Sequence, residues 1–153
     1  MKVAMFRFST SRLYNQNSFY DAFLHDLRHA KSRIIIESPF ITEKRVSILL
    51  PTLQYLRKRN VRVVVNTKPF EEREVGYREQ TIWAVGMMQD LGIEILFTNG
   101  HHRKIAIVDE DILYEGSLNI LSQNDSCELM RRMKSKALVK EMLKFTKLKK
   151  WTR

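Results

Sequence analysis

His102, Lys104, Asp109, Gly116, Ser117 and Asn119 form the pattern H-x-K-x4-D-x6-G-S-x-N near the C-terminal end of the chain. Six fixed letters at roughly one in twenty each make a chance match in a chain of this length about one in 10⁵ or rarer. The pattern therefore reads as a unit. It supplies an imidazole, an ammonium, a hydroxyl and an amide, groups that could close around one phosphate.

These residues need a scaffold. Apolar alternation predicts two strands near 103–108 and 112–116. A tight Asp109-Glu110 turn would set Val108 opposite Asp111, Ile107 opposite Ile112, Ile105 opposite Tyr114 and His102 opposite Ser117. Residues two apart share a strand face. His102, Lys104, Ser117 and Asn119 then project on one side. Ile105, Ile107, Ile112 and Tyr114 project on the other, toward a core. A slip of one residue would destroy both groupings.

Ser18 starts a helix carrying Phe19, Phe23, Leu24 and Leu27. The apolar run of Ile34, Ile35 and Ile36 predicts a strand over 33–38 that is buried on both faces and ended by Pro39. Thr42 caps a helix with Val46, Leu49, Leu53 and Leu56, and Pro51 predicts a kink or two pieces. Strands follow over 61–66 and 93–97. Between them lie a polar loop over 67–78 and a helix over 79–91 that Gly92 stops. A short strand over 127–132 and a basic helix over 135–149 close the chain. Alternating strands and helices predict an α/β fold, a mixed β-sheet flanked by helices on both faces. One domain over 1–153 is expected.

The net charge of +10, from 27 Lys and Arg against 17 Asp and Glu, favours a polyanionic partner, most simply nucleic acid. An anionic membrane surface is the second option. No run of 18 apolar residues is present, the length a spanning helix would need. Arg7 interrupts any signal-like stretch in residues 1–10. The single cysteine, Cys127, cannot form an internal disulfide, which fits a reducing cytoplasm. Cys127 is expected to be a small buried side chain.

The spaced pattern resembles the HKD motif of the phospholipase D superfamily, complete in letters and spacing from His102 to Asn119. A single motif is similar to the short nuclease branch, whose members pair two copies across a homodimer. Gly116 to Ser122, followed by Glu128 to Arg132, also resembles HKD domains attached to DNA helicases. The resemblance implies a phospholipase D-like domain with His102 as nucleophile, forming a phosphohistidine. His102 of the partner subunit would act as acid and base. Lys104 and Asn119 would hold the non-bridging oxygens, and Ser117 would support the phosphate or the lysine. Glu128 resembles the acid that orients the histidine. Asp109 and Gly116 would be structural. No metal and no cofactor are implied, so activity should survive chelation. The expected partner is nucleic acid, DNA ahead of RNA, bound by a homodimer with no membrane contact.

Other residues carry weaker signals. Arg103, Arg131, Arg132 and Lys134 are candidates for nucleic-acid binding, as is the lysine run of the last helix. Arg73 and Arg78 are weaker ones. His101 reads as a neighbour of the motif. His25 and His29 have metal-ligand spacing on a helix but no third partner, so a helix surface is expected. Glu37 and Ser38 end a strand, where α/β sheets bind ligands, but a plain strand terminus explains them equally well. Trp83 is assigned to core or dimer interface. The rival functions are a binding module that has lost activity, within a repair or defence assembly, and, ranked lower, a phospholipase.

Overall fold

Ile34, Ile35 and Ile36 are all buried. Successive strand residues point to opposite faces, so this strand must be covered on both sides. The computed structural model describes residues 11–122 and 125–152. The reading of residues 1–10 lies outside them. The chain runs β1 (Ser11–Asn15), α1 (Phe19–His29), β2 (Arg33–Glu37), α2 (Glu43–Lys58) and β3 (Arg62–Thr67). It continues through α3 (Val75–Asp90), β4 (Glu94–Phe97), β5 (Ile105–Val108), β6 (Ile112–Gly116), β7 (Leu129–Lys134) and α4 (Lys136–Thr146).

The strands form one seven-stranded mixed sheet in the order β1-β7-β6-β5-β2-β3-β4. β2, β3 and β4 are parallel, and every other pair is antiparallel. One core holds Ile34, Ile36, Val63, Val65 and Tyr114 with Phe19, Phe23, Leu53 and Met88 of α1, α2 and α3. The other holds Ile35, Val64, Ile105 and Ile107 with Val139 and Leu143 of α4. The fold is therefore α/β, with helices on both faces of the sheet.

The β5–β6 register differs from the expectation by one residue. Val108 pairs with Ile112, Ile107 with Leu113, Ala106 with Tyr114 and Ile105 with Glu115. The cause is Asp109, whose φ of 54° lies in the left-handed region. Aspartate tolerates that region better than most residues, and the connection takes three residues instead of two. Ile112 and Tyr114 therefore face the core opposite to the one holding Ile105 and Ile107. The strand is buried on both faces, so apolar residues occur at either parity.

The same turn is tied to distant backbone. Asp109 Oδ1 accepts from Ser32 N at 2.8 Å, Lys31 N at 3.0 Å and Arg33 N at 3.3 Å, and from the Ser32 hydroxyl at 3.0 Å. Burial pushes the Asp109 carboxyl up, but these hydrogen bonds outweigh it and hold the group below its ordinary value. A depressed carboxyl stabilises the fold above its unfolded pKa and loses that contribution as pH falls through its folded pKa. Asp109→Ala is therefore expected to cost about 1–3 kcal/mol at neutral pH. The gap between variant and wild type should close only below the ordinary value of 3.8. Urea unfolding at neutral and acid pH reads both. A gap that persists unchanged in acid would refute this account.

Several local expectations change. α2 runs unbroken through Pro51. The proline removes one ladder bond, and Ser47, whose carbonyl loses its donor, is exposed to water. α3 starts at Val75, inside the expected loop, because Val75 and Tyr77 of its first turn are exposed and give no apolar periodicity. β1 has no counterpart in the sequence reading; it is a polar edge strand that pairs only with β7. Ser18 takes the N-cap position of α1, but its hydroxyl bonds Asn15 instead of the helix. Cys127 is exposed, not buried. Of the two places expected for Trp83, core or dimer interface, its 40% exposure on α3 excludes the core.

Candidate active site

Residues 101–104 precede β5 without joining the sheet ladder. Their position is fixed from β2. Glu37 is fully buried, and its carboxylate receives Arg103 Nε and Nη2, each at 2.8 Å, and Asn66 Nδ2 at 2.7 Å. His101 Nε2 lies 3.3 Å from the same carboxylate, short of hydrogen-bond geometry. Burial pushes the His101 imidazole down, and the Glu37 charge only partly opposes this.

The next residue of β2's end holds the other half of the motif. The Ser38 hydroxyl accepts from Leu121 N at 3.1 Å and donates to Phe40 O at 2.9 Å. Leu118, Ile120 and Leu121 are buried in the α1–α3 core, and Thr42 N donates to Leu121 O at 2.9 Å. Gly116 is required by space. A Cβ there would lie 2.2 Å from Leu129 O of β7.

On this frame His102 is exposed and Lys104 half-buried. Lys104 Nζ lies 2.9 Å from His102 Nδ1 and donates to the His102 carbonyl at 2.7 Å. A protonated lysine can only donate, so Nδ1 accepts and a neutral ring carries its proton on Nε2. Burial lowers the Lys104 pKa, and Glu128 partly offsets this. The hydroxyls of Ser117 and Ser126 hold the Glu128 carboxyl below its ordinary value, with help from Lys104. Ser117 Oγ also accepts from Leu129 N at 3.0 Å.

The structure thus gathers His102, Lys104, Ser117 and Glu128. No hydrogen bond joins Glu128 to His102 among the described residues. Asn119 is the remaining polar residue of the motif. Its Oδ1 is buried without a partner, and it lines a cavity of about 530 Å³. A second hollow, of about 510 Å³, is lined by Arg103, Lys104, Gly116, Leu129, Arg131 and Phe145. Among the described residues, no group of three His, Cys, Asp or Glu side chains is arranged to hold a metal. The His25 and His29 rings lie 4.3 Å apart and tilted by 33° on the exposed side of α1.

Two of the expected nucleic-acid contacts are otherwise engaged. Arg132 Nε and Nη2 donate to Asp26 at 2.7 and 3.1 Å, and the Tyr114 hydroxyl donates to the same carboxylate. This network sits beneath α1, so Arg132 is withdrawn from any polyanion. Arg103 shares its guanidinium with Glu37. Arg131 and Lys134 are exposed, although Arg131 also donates to Ser11 Oγ at 2.7 Å.

Residues 23–149 match the family model described as "Cardiolipin synthase, PLD-like domain". The chain belongs to this phospholipase D-like family. Solved structures share the fold at low identity. Nuc from Salmonella typhimurium, a phospholipase D family member, superposes with a TM-score of 0.76 at 18% identity, over 94% of this chain and 95% of that one. NucT from Helicobacter pylori gives 0.69 at 14%, over 93% and 96%. Phosphatidylserine synthase from Haemophilus influenzae gives 0.73 at 12%, over 90% of this phospholipase D-like chain and 36% of that longer one. No curated protein sequence matches it.

Sequence reasoning undervalued Glu37. The available signal was a carboxylate within a run otherwise suited to burial on both faces, where an unpaired charge is very costly.

Proposed function

We propose that this protein is a metal-independent phosphodiesterase that hydrolyses nucleic acid, DNA ahead of RNA, at a site shared by two subunits. The observation that carries the reading is an exposed imidazole with an ammonium 2.9 Å from its Nδ1, on a chain of net charge +10. The hollow beside Lys104 is lined by Arg103 and Arg131 as well as by Glu115 and Phe145, and α4, which supplies Phe145, carries the exposed Lys140 and Lys144. Among the described residues, no helix is long and apolar enough to cross a membrane.

In this reading a bound phosphodiester draws the Lys104 ammonium from Nδ1 onto a non-bridging oxygen. The ring proton moves to Nδ1, where Glu128 accepts it as a hydrogen bond. His102 Nε2 attacks phosphorus, and a phosphohistidine forms as the leaving oxygen takes a proton from His102 of the partner subunit. That second histidine then removes a proton from water, which displaces the first. Ser117 steadies Glu128, and Asn119 holds the phosphate. The chain carries one motif, so a homodimer is needed.

A binding module without activity is the second reading, favoured by the lack of a hydrogen bond between Glu128 and His102 among the described residues. Labelled single- and double-stranded DNA and RNA, incubated in EDTA with wild type and His102→Ala, decide between them. Wild type is expected to cut and the variant to lose activity. If neither cuts but both bind in a salt-dependent way, the second reading stands.

A further inference from the structure

The cavity beside Asn119 lies between the turn after β2 and the start of α3. Phe40 and Tyr77 line it and are 45% and 54% exposed. Thr81 and Ile41 form buried walls. Its charges balance: Lys68 and Arg73 face Glu72 and Glu74. That neutrality is unusual on a chain of net charge +10, and two carboxylates disfavour a second phosphate.

The polar atoms point the same way. Arg73 is 5% exposed. Its guanidinium donates to Pro39 O at 3.0 Å, Thr67 Oγ1 at 2.8 Å and Lys68 O at 3.0 Å, leaving Nε buried and without a partner. It braces the floor. Asn119 Oδ1 is likewise without a partner. Glu72 accepts from Gly100 N, and a carboxylate has further lone pairs to offer. Lys68 Nζ sits 3.9 Å from the Phe40 ring centroid, and a base stacked on that face takes the lysine's place.

We infer that this cavity seats the nucleobase next to the scissile phosphate, with Phe40 and Tyr77 as its stacking walls and an amino-bearing base edge turned toward the acceptors. The inference rests on the nuclease reading and adds to it the part of the substrate that is not phosphate. The volume of about 530 Å³ falls in the range of small-ligand pockets, about 300–1,000 Å³. The mixed polar lining does not suit an acyl chain.

The test compares p-nitrophenyl phosphodiesters of deoxycytidine, esterified at the 5′ or the 3′ oxygen, with their abasic counterparts. In wild type, one regioisomer should exceed its abasic form in kcat/KM by about 5- to 150-fold, which is about 1–3 kcal/mol of stacking. Phe40→Ala and Tyr77→Ala should each shrink that ratio. Both side chains are partly exposed, and thermal melting checks that both variants fold. A ratio near one in wild type overturns the inference, as does a ratio that survives both substitutions. So does loss of dimer mass in the variants, which would make the rings a subunit contact. If wild type cleaves no diester, bis(p-nitrophenyl) phosphate included, the phosphodiesterase reading fails by itself. The cavity is then judged by binding of labelled oligo(dC) against an abasic strand. Affinity that depends on the base and falls in Phe40→Ala sustains the inference, and equal affinity ends it.

Discussion

Mixing wild type with His102→Ala in equal amounts, under conditions that exchange subunits, is expected to leave about a quarter of the cleavage of a DNA strand. Random pairing of two-fold dimers makes about a quarter of them fully wild type. A composite site needs one His102 to attack and another to protonate the leaving oxygen, so a dimer with one histidine stalls. A chain acting alone would leave about half. The leaving group offers a sharper contrast. An alkoxide of DNA needs the proton, whereas p-nitrophenolate departs without one. With bis(p-nitrophenyl) phosphate, mixed dimers can therefore complete the first displacement. The first-turnover burst should retain about three quarters of its amplitude, counting each dimer with at least one His102 once. Equal retention on both substrates would sink the two-histidine scheme. A strictly monomeric active protein would do the same.

The parts of the molecule that were legible in sequence are those fixed by local spacing. The pattern from His102 to Asn119 pointed to the phospholipase D-like family to which the chain belongs, and the isoleucines of β2 showed a sheet covered on both faces. What escaped depended on partners far away in sequence. Arg132 read as a surface cation because Asp26, which holds it, is 106 residues distant. Arg103 read the same way because Glu37 is 66 residues distant. The register of β5 and β6 failed for a local reason. Asp109 adopts a left-handed φ of 54° that its hydrogen bonds to residues 31–33 support, and no dipeptide preference reports those bonds. Apolar residues at both parities left nothing in the strands to correct the slip. β1 escaped because an edge strand with a solvated face carries little apolar patterning.

Glu37→Gln should be more damaging than its near-isosteric size suggests. Three N–H groups, from Arg103 and Asn66, converge on the two Glu37 oxygens. An amide offers one acceptor oxygen and turns an NH₂ group toward donors that then lose their partner. Removing one side of a buried ion pair costs about 3–5 kcal/mol. Because the Arg103 side chain is 41% exposed, water relieves part of that, and about 2–4 kcal/mol is expected in urea unfolding. The effect on activity follows from where Arg103 sits. It lies between His102 and Lys104 on a stretch without ladder bonds, so releasing its guanidinium frees both motif side chains. Misplacement of about 1 Å can cost about 10²-fold in rate. Glu37→Gln, assayed well below its melting temperature, should therefore lose at least that much kcat on bis(p-nitrophenyl) phosphate. Ser38→Ala loosens the other half of the motif through Leu121. It should weaken phosphate binding through Asn119 and so raise KM more than it lowers kcat. If Glu37→Gln is as stable and as active as wild type, the end of β2 does not position the site, and His102 and Lys104 must be held by their own contacts and by the start of β5 that follows them.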